Sequence, residues 1–236
     1  MSNTAVAIFS SDTNELYSNF VQPVTSAWKN LGFDVLAVQV TSDDCYADPS
    51  EIPLGNQAQM IRMLLPALYP ELKFITTDVD MLPLNGEYFR KACDLVKSDN
   101  EIINISADAY PQQVRMPVCY FMGYGSAFSK VTGVKTRSDI SDVMKEWWSK
   151  GQGWGTDELS FTEMAMMANS KGSISLKRYA RGWIRGIAND RIDRAHWVYD
   201  KDLLERGQYI DSHMLRPLQS YRANLLPLFE SIGVTI

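Results

Sequence analysis

The chain has 236 residues, 45% of them hydrophobic, with a formal net charge of −5 at pH 7. That length and apolar content suffice for one large domain around a sizeable core. The acidic balance excludes a general nucleic-acid binder, which needs a basic face, so any anion this chain binds must be met by a local cluster.

Ala5 to Phe9 reads as a buried strand and is the longest apolar run near an N-terminus without basic flank. It is too short for a signal-peptide core or a membrane span, and the expectation is a soluble, cytoplasmic protein with no transmembrane segment. Tyr17 to Leu31 reads as a helix and Phe33 to Val40 as a second strand, a β-α-β opening that implies a largely parallel sheet. Ile61, Leu64, Leu65 and Leu68 form a core-facing helical stripe that Pro66 should kink. The chain then enters the apolar strand that carries Asp78 and Asp80. Ile102 to Ile105 and Val118 to Met122 read as further strands. Ile140, Val143, Met144 and Trp147 mark an amphipathic helix ended by Gly151, and another helix begins near Asp157, with Thr156 as its N-cap, and runs to about Asn169. Cys45, Cys93 and Cys119 are odd in number and lack Cys-x-x-Cys spacing, so they read as free, buried thiols of a reducing compartment.

Asp78 and Asp80 stand at i and i+2 after the strand. In an extended chain both side chains leave the same face. Two carboxylates about 4 Å apart repel by roughly 4 kcal/mol at an effective dielectric near 20, which invites a divalent cation that also bridges to an anionic ligand. The plain alternative is a turn after a strand, where Asp is common. Ser10, Ser11 and Asp12 follow the first strand, either to contact a base edge or to cap the next helix. Arg62 lies off the apolar stripe, placed to reach ribose or phosphate, or else solvated. Asp157 and Glu158 open a helix after Gly153-Trp154-Gly155-Thr156; acids suit a first helical turn whatever their function. Trp154 offers a face for a pyranose ring or packs in the core. Lys177, Arg178, Arg181, Arg185, Arg191 and Arg194 form a basic cluster, of which one or two would reach a diphosphate or an acidic acceptor.

Several of these stretches resemble one family. The Arg62-to-Pro66 helix followed by Leu72 to Leu82, with its Asp-x-Asp, is similar to the block found in GT-A glycosyltransferases, above all the glycogenin-like and lipopolysaccharide galactosyltransferase-like group (GT8). Ser10 to Tyr17 resembles that group's first nucleotide-binding loop, and Cys119 to Gly123 its Asn-x-Gly strand, though Asn is absent. Asp157-Glu158 stands where the group has Asp-Gln. His213-Met214-Leu215-Arg216-Pro217 stands near the end like its His followed by Lys-Pro-Trp. The resemblance leaves two sources open for a compact cytosolic form of this kind: a bacterium, or the capsid-glycosylating enzymes of large algal viruses.

The resemblance implies a GT-A-like single domain over residues 1–236, a central mostly parallel sheet flanked by helices. It implies sugar transfer from a nucleotide-diphosphate donor, UDP-linked, to a hydroxyl of a glycan or glycoprotein acceptor, with retention. Asp78, Asp80 and His213 would hold Mn²⁺ or Mg²⁺, with His213 preferred to His196 for its Arg-Pro sequel. Ser10, Ser11, Asp12, Arg62 and Asp78 would meet the nucleotide, Trp154 the sugar or acceptor, and Asp157 with Glu158 the reacting centre. The Gly-Trp-Gly turn before paired acids also resembles inverting galactosyltransferases, in which the second acid is the base. Two other classes stay open: a haloacid-dehalogenase-type phosphatase, and a non-catalytic nucleotide- or glycan-binding module.

Overall fold

The computed structural model describes residues 5–110, 115–183 and 190–236. In chain order the elements are β1 (Val6–Ser11), α1 (Glu15–Ser18), α2 (Val21–Asn30), β2 (Asp34–Gln39), α3 (Leu54–Leu64), β3 (Lys73–Thr76), β4 (Met81–Pro83), α4 (Gly86–Cys93), β5 (Glu101–Asn104) and β6 (Phe121–Tyr124). Then follow α5 (Gly125–Thr132), α6 (Arg137–Ser149), α7 (Thr156–Ser170), β7 (Ser175–Arg178), β8 (Asp190–Asp193), α8 (Lys201–Glu205), β9 (Tyr209–His213) and α9 (Arg222–Ser231). This is the expected α/β architecture: a six-stranded sheet, order β2-β1-β3-β6-β5-β7, in which β6 alone runs against the rest. A three-stranded sheet, β4-β9-β8, stands beside it.

Strand periodicity builds the two cores. Ala7 and Phe9 of β1 enter one apolar cluster and Ile8 the other; Ile75 and Phe74 of β3, and Met122 and Phe121 of β6, divide the same way. Successive side chains of a strand leave opposite faces, so a sheet covered on both sides needs apolar residues at every position. The first cluster takes in α2, α4 and α9, and the second takes in α3, α5, α6 and α7.

Four local expectations change. The helix read over Tyr17 to Leu31 is two helices, α1 and α2, because Pro23 lacks an N–H and is accommodated in the first turn of α2, where amides have no intrahelical acceptor. The Pro66 kink is a change of helix type, α3 giving way to a 3₁₀ turn over Leu65–Leu68. The strand read over Val118 to Met122 begins only at Phe121; the preceding carbonyls of Pro117 and Val118 accept from the side chains of Asn104 and Thr76 instead of a ladder. Thr156 is not the N-cap of α7. Gly155 is, and Thr156 lies inside the helix with its hydroxyl donating to the Gly153 carbonyl at 2.7 Å, because the Gly153–Gly155 3₁₀ turn runs straight into α7.

Candidate functional site

The carboxyl ends of β1 and β3, the start of α7 and one edge of the small sheet open onto a single cleft of about 290 Å³. Its position follows the rule for open α/β sheets, whose ligands collect beyond the carboxyl ends of the strands. At one end β1 delivers Ser10, Ser11 and the loop to Asn14. Asp12 Oδ1 accepts from the Asn14 amide at 3.1 Å and Asn14 Oδ1 from the Leu16 amide at 3.0 Å, so this loop does cap α1. Ser10 Oγ donates to the Ala58 carbonyl, whereas Ser11 Oγ is buried with no protein partner among the described residues. Trp154, 58% exposed, stacks on Tyr17 with ring centroids 6.1 Å apart, and its carbonyl accepts from Gln59 at 3.1 Å. The tryptophan is therefore a wall beside the first loop and not a core residue.

The aspartates of Asp78-Val79-Asp80 do not present one face. The Met81 amide donates to the Asp78 carbonyl at 3.1 Å, closing a turn that sends the two carboxylates to different partners. Asp78 pairs with Arg62 Nη1, and the mutual repulsion foreseen for an extended chain is met by arginines. Arg62 is not a solvated helix arginine: it is buried, and its Nη2 donates to Asp157 Oδ2 at 3.0 Å. One guanidinium thus ties the end of β3 to the first turn of α7. Asp157, almost wholly buried, has its pKa raised by burial, with Arg62 opposing. Its Oδ1 accepts from the Glu158 amide at 2.8 Å. Glu158 accepts from Tyr110 Oη at 3.1 Å and pairs with Arg115; burial and the Asp157 charge push its pKa up against the pull of Arg115.

Asp80 sits at the other end for a topological reason. It immediately precedes β4, whose Met81 registers with His213, the last residue of β9; β8 runs parallel to β9 with Asp193 opposite His213. The small sheet therefore sets His213 and Arg194 around one carboxylate. Asp80 Oδ2 lies 2.9 Å from Arg194 Nη1, 3.3 Å from Arg216 Nε and 3.5 Å from His213 Nε2. Burial alone would raise the pKa of Asp80, but His213, Arg216 and Arg194 together outweigh it and hold the carboxyl below its ordinary value. His196 is exposed and does not line the cleft.

Of the three expected metal ligands the fold brings two together. Asp78 stands apart on Arg62, and among the described residues no group of three or more His, Cys, Asp or Glu is placed to hold a metal ion. The 3.5 Å between Asp80 Oδ2 and His213 Nε2 suits two ligands of one cation with bonds of about 2.1 Å. Such a site would have one carboxylate and one imidazole, with phosphate and water completing the shell of Mn²⁺ or Mg²⁺. Asp80 and His213 would thus offer such a cation two protein ligands.

Charge is unevenly divided along the cleft. On Asp80 itself two guanidiniums face one carboxylate, with Asp193 Oδ2 on the far side of His213, 3.9 Å from Nδ1; around Arg62, one guanidinium faces two carboxylates. Glu158 and Arg115 balance each other. Within the basic cluster, Lys177 is spent on Glu101, Arg181 on Asp108 and Arg191 on Asp211; Arg194 enters the cleft, and Arg185 lies outside the described residues. Tyr110 and Arg115 are cleft residues that sequence reasoning missed, because nothing in the spacing of the 106–118 segment marks them; Tyr17, also in the cleft, ends the stretch that resembles a first nucleotide-binding loop.

No protein-family model matches this sequence, and no curated protein does. Among solved structures, the chain is similar to the crystal structure of a glycosyltransferase involved in the glycosylation of the major capsid of PBCV-1. The alignment covers 95% of this chain and 99% of that one, at 9% identity and a TM-score of 0.45. At that score the likeness is too slight to establish a shared fold.

Proposed function

We propose that this chain is a GT-A-like glycosyltransferase that moves a sugar from a nucleoside diphosphate donor, UDP-linked, to a hydroxyl of a glycan or glycoprotein. The observation that carries the reading is the charge polarity of the cleft. Glycosyl transfer develops negative charge on a departing diphosphate and positive charge on the anomeric carbon. The cleft offers an excess of cations around Asp80 and an excess of carboxylates around Arg62. Preorganised charges of the right sign at each end lower the barrier to bond breaking.

The base belongs beside the first loop, where Ser11 lines the cleft and the Tyr17–Trp154 pair offers a stacking face. Trp154 thus moves from the sugar to the nucleotide end. Arg194 and Arg216 bind the diphosphate. Mn²⁺ or Mg²⁺ held by Asp80 and His213 would neutralise charge on the leaving group. Asp157 stands at the anomeric centre. Both its oxygens are engaged, one by Arg62 and one by the Glu158 amide. Such a carboxylate suits a fixed negative charge beside an oxocarbenium ion more than a base that removes an acceptor proton, which favours retention. The phosphatase reading asks for an aspartate free to attack phosphorus; Asp78 and Asp80 are both held by arginines.

Calorimetric titration with UDP, in Mn²⁺ and in EDTA, followed by donor hydrolysis across a panel of UDP-sugars, tests the reading. Metal-enhanced UDP binding and slow release of free sugar are the expected results. Absence of binding by any nucleoside diphosphate overturns the proposal, and binding without hydrolysis or transfer of any donor sugar selects the non-catalytic module.

A further inference from the structure

The geometry points to Arg194 as a diphosphate ligand that, in the free protein, occupies the Asp80 oxygen a divalent cation needs. Arg194 and the cation then oppose each other at Asp80 while both serve the diphosphate. The inference rests on the glycosyl-transfer reading and extends it to a residue outside every motif that suggested it.

Three observations carry it. Arg194 makes a single bond to protein among the described residues, Nη1 to Asp80 Oδ2 at 2.9 Å, and its side chain is 33% exposed in the cleft. The rest of its planar fork is uncommitted, and a diphosphate offers the matching pair of acceptors. By contrast Arg191, three residues earlier, is locked on both oxygens of the buried Asp211 at 2.5 and 2.8 Å and does not line the cleft. Second, Arg194, Arg216 and His213 all converge on the same Oδ2, so a cation arriving there meets positive charge before any phosphate is present. Third, Arg194 opens a 3₁₀ turn held by Asp193 Oδ1, which accepts from the Ala195 amide at 2.8 Å. That bond fixes the backbone and leaves the side chain able to turn from Asp80 to the ligand.

Removal of Arg194 should therefore have opposite effects on two ligands. In Arg194→Ala and Arg194→Gln, MnCl₂ alone should bind at least threefold tighter than to the parent by calorimetry. UDP in EDTA and inorganic pyrophosphate should bind at least tenfold weaker, and uridine, which has no phosphate, should bind as before. Thermal melts establish that each variant is folded, and the glutamine variant stands in if alanine loosens the turn. Unchanged or weaker Mn²⁺ binding in a folded variant overturns the competition. Unchanged UDP and pyrophosphate binding overturns the ligand role, and failure of both variants to fold makes Arg194 structural. If the parent itself binds neither UDP nor Mn²⁺, the glycosyl-transfer reading falls, and this inference with it.

Discussion

Arg62 bridges the Asp-x-Asp turn and the first turn of α7 through two ion pairs. Breaking a buried pair from one side leaves the other charge uncompensated and typically costs 3–5 kcal/mol. Arg62→Met should destabilise by about 3 kcal/mol, the low end of that range, because Asp157, whose pKa already stands above its ordinary value, can take up a proton. Urea unfolding measures it, and a change below about 1 kcal/mol would make the bridge incidental. Beside it, Asp157→Asn keeps the size and much of the bonding while removing the charge offered to the anomeric carbon. Turnover should fall at least roughly a hundredfold, the scale of a positioned charge-stabilising or acid-base group, with UDP affinity near parental. Glu158→Gln should be milder. The reverse order in steady-state kinetics would make Glu158 a base and the reaction inverting.

At the scale of elements, α5 approaches closely the 3₁₀ turn that ends α3, the helix carrying Arg62. Gly125 opens α5, and a Cβ there would stand 2.2 Å from the Tyr69 carbonyl oxygen and 2.3 Å from that of Pro66. Both obstacles are backbone and cannot rotate away. Gly125→Ala should therefore cost about 3 kcal/mol, the upper end for overpacking, and lower the melting temperature by roughly 6–12 °C for a chain of this size. Scanning calorimetry reads this directly. A melting temperature within about 2 °C of the parent would mean that α5 slides without cost and does not brace α3. The small sheet plays the equivalent part for the other end of the cleft: its Met81–His213 and Asp193–His213 registers decide which side chains reach Asp80.

For the whole molecule, the cleft trades stability for function in a pH-dependent way. Glu158 has a pKa raised by burial and by Asp157. A carboxyl raised in the folded state favours folding below the unfolded value and loses that contribution as pH climbs through the folded value. Glu158→Gln removes the titration, so its stability relative to the parent should improve as pH rises from about 4 towards neutrality, the range over which model glutamate begins to ionise. Paired urea denaturations at several pH values would show it. A difference that is flat with pH, or that runs the other way, would mean that Arg115 compensates Glu158 fully.

The sequence by itself determined the α/β class, most of the strands and a set of candidate site residues. Strand faces alternate with period two and helix faces with 3.6, so burial writes itself into the order of apolar residues at Ala7, Ile8 and Phe9 or at Ile61, Leu64 and Leu65. Ser10 to Asp12, Arg62, Asp78, Asp80, Trp154, Asp157, Glu158 and His213 were all legible as candidates, and all line the cleft. Their partners were not legible. That Asp78 answers Arg62 while Asp80 answers Arg194, Arg216 and His213 depends on a turn between the two aspartates and on the register of a small sheet in which β4 meets strands more than a hundred residues further along the chain. Arg194 looked like any other member of a basic cluster, and Tyr110 and Arg115 looked like nothing. Charge pairing acts through space at a few ångströms, and only the tertiary structure decides which charges come that close.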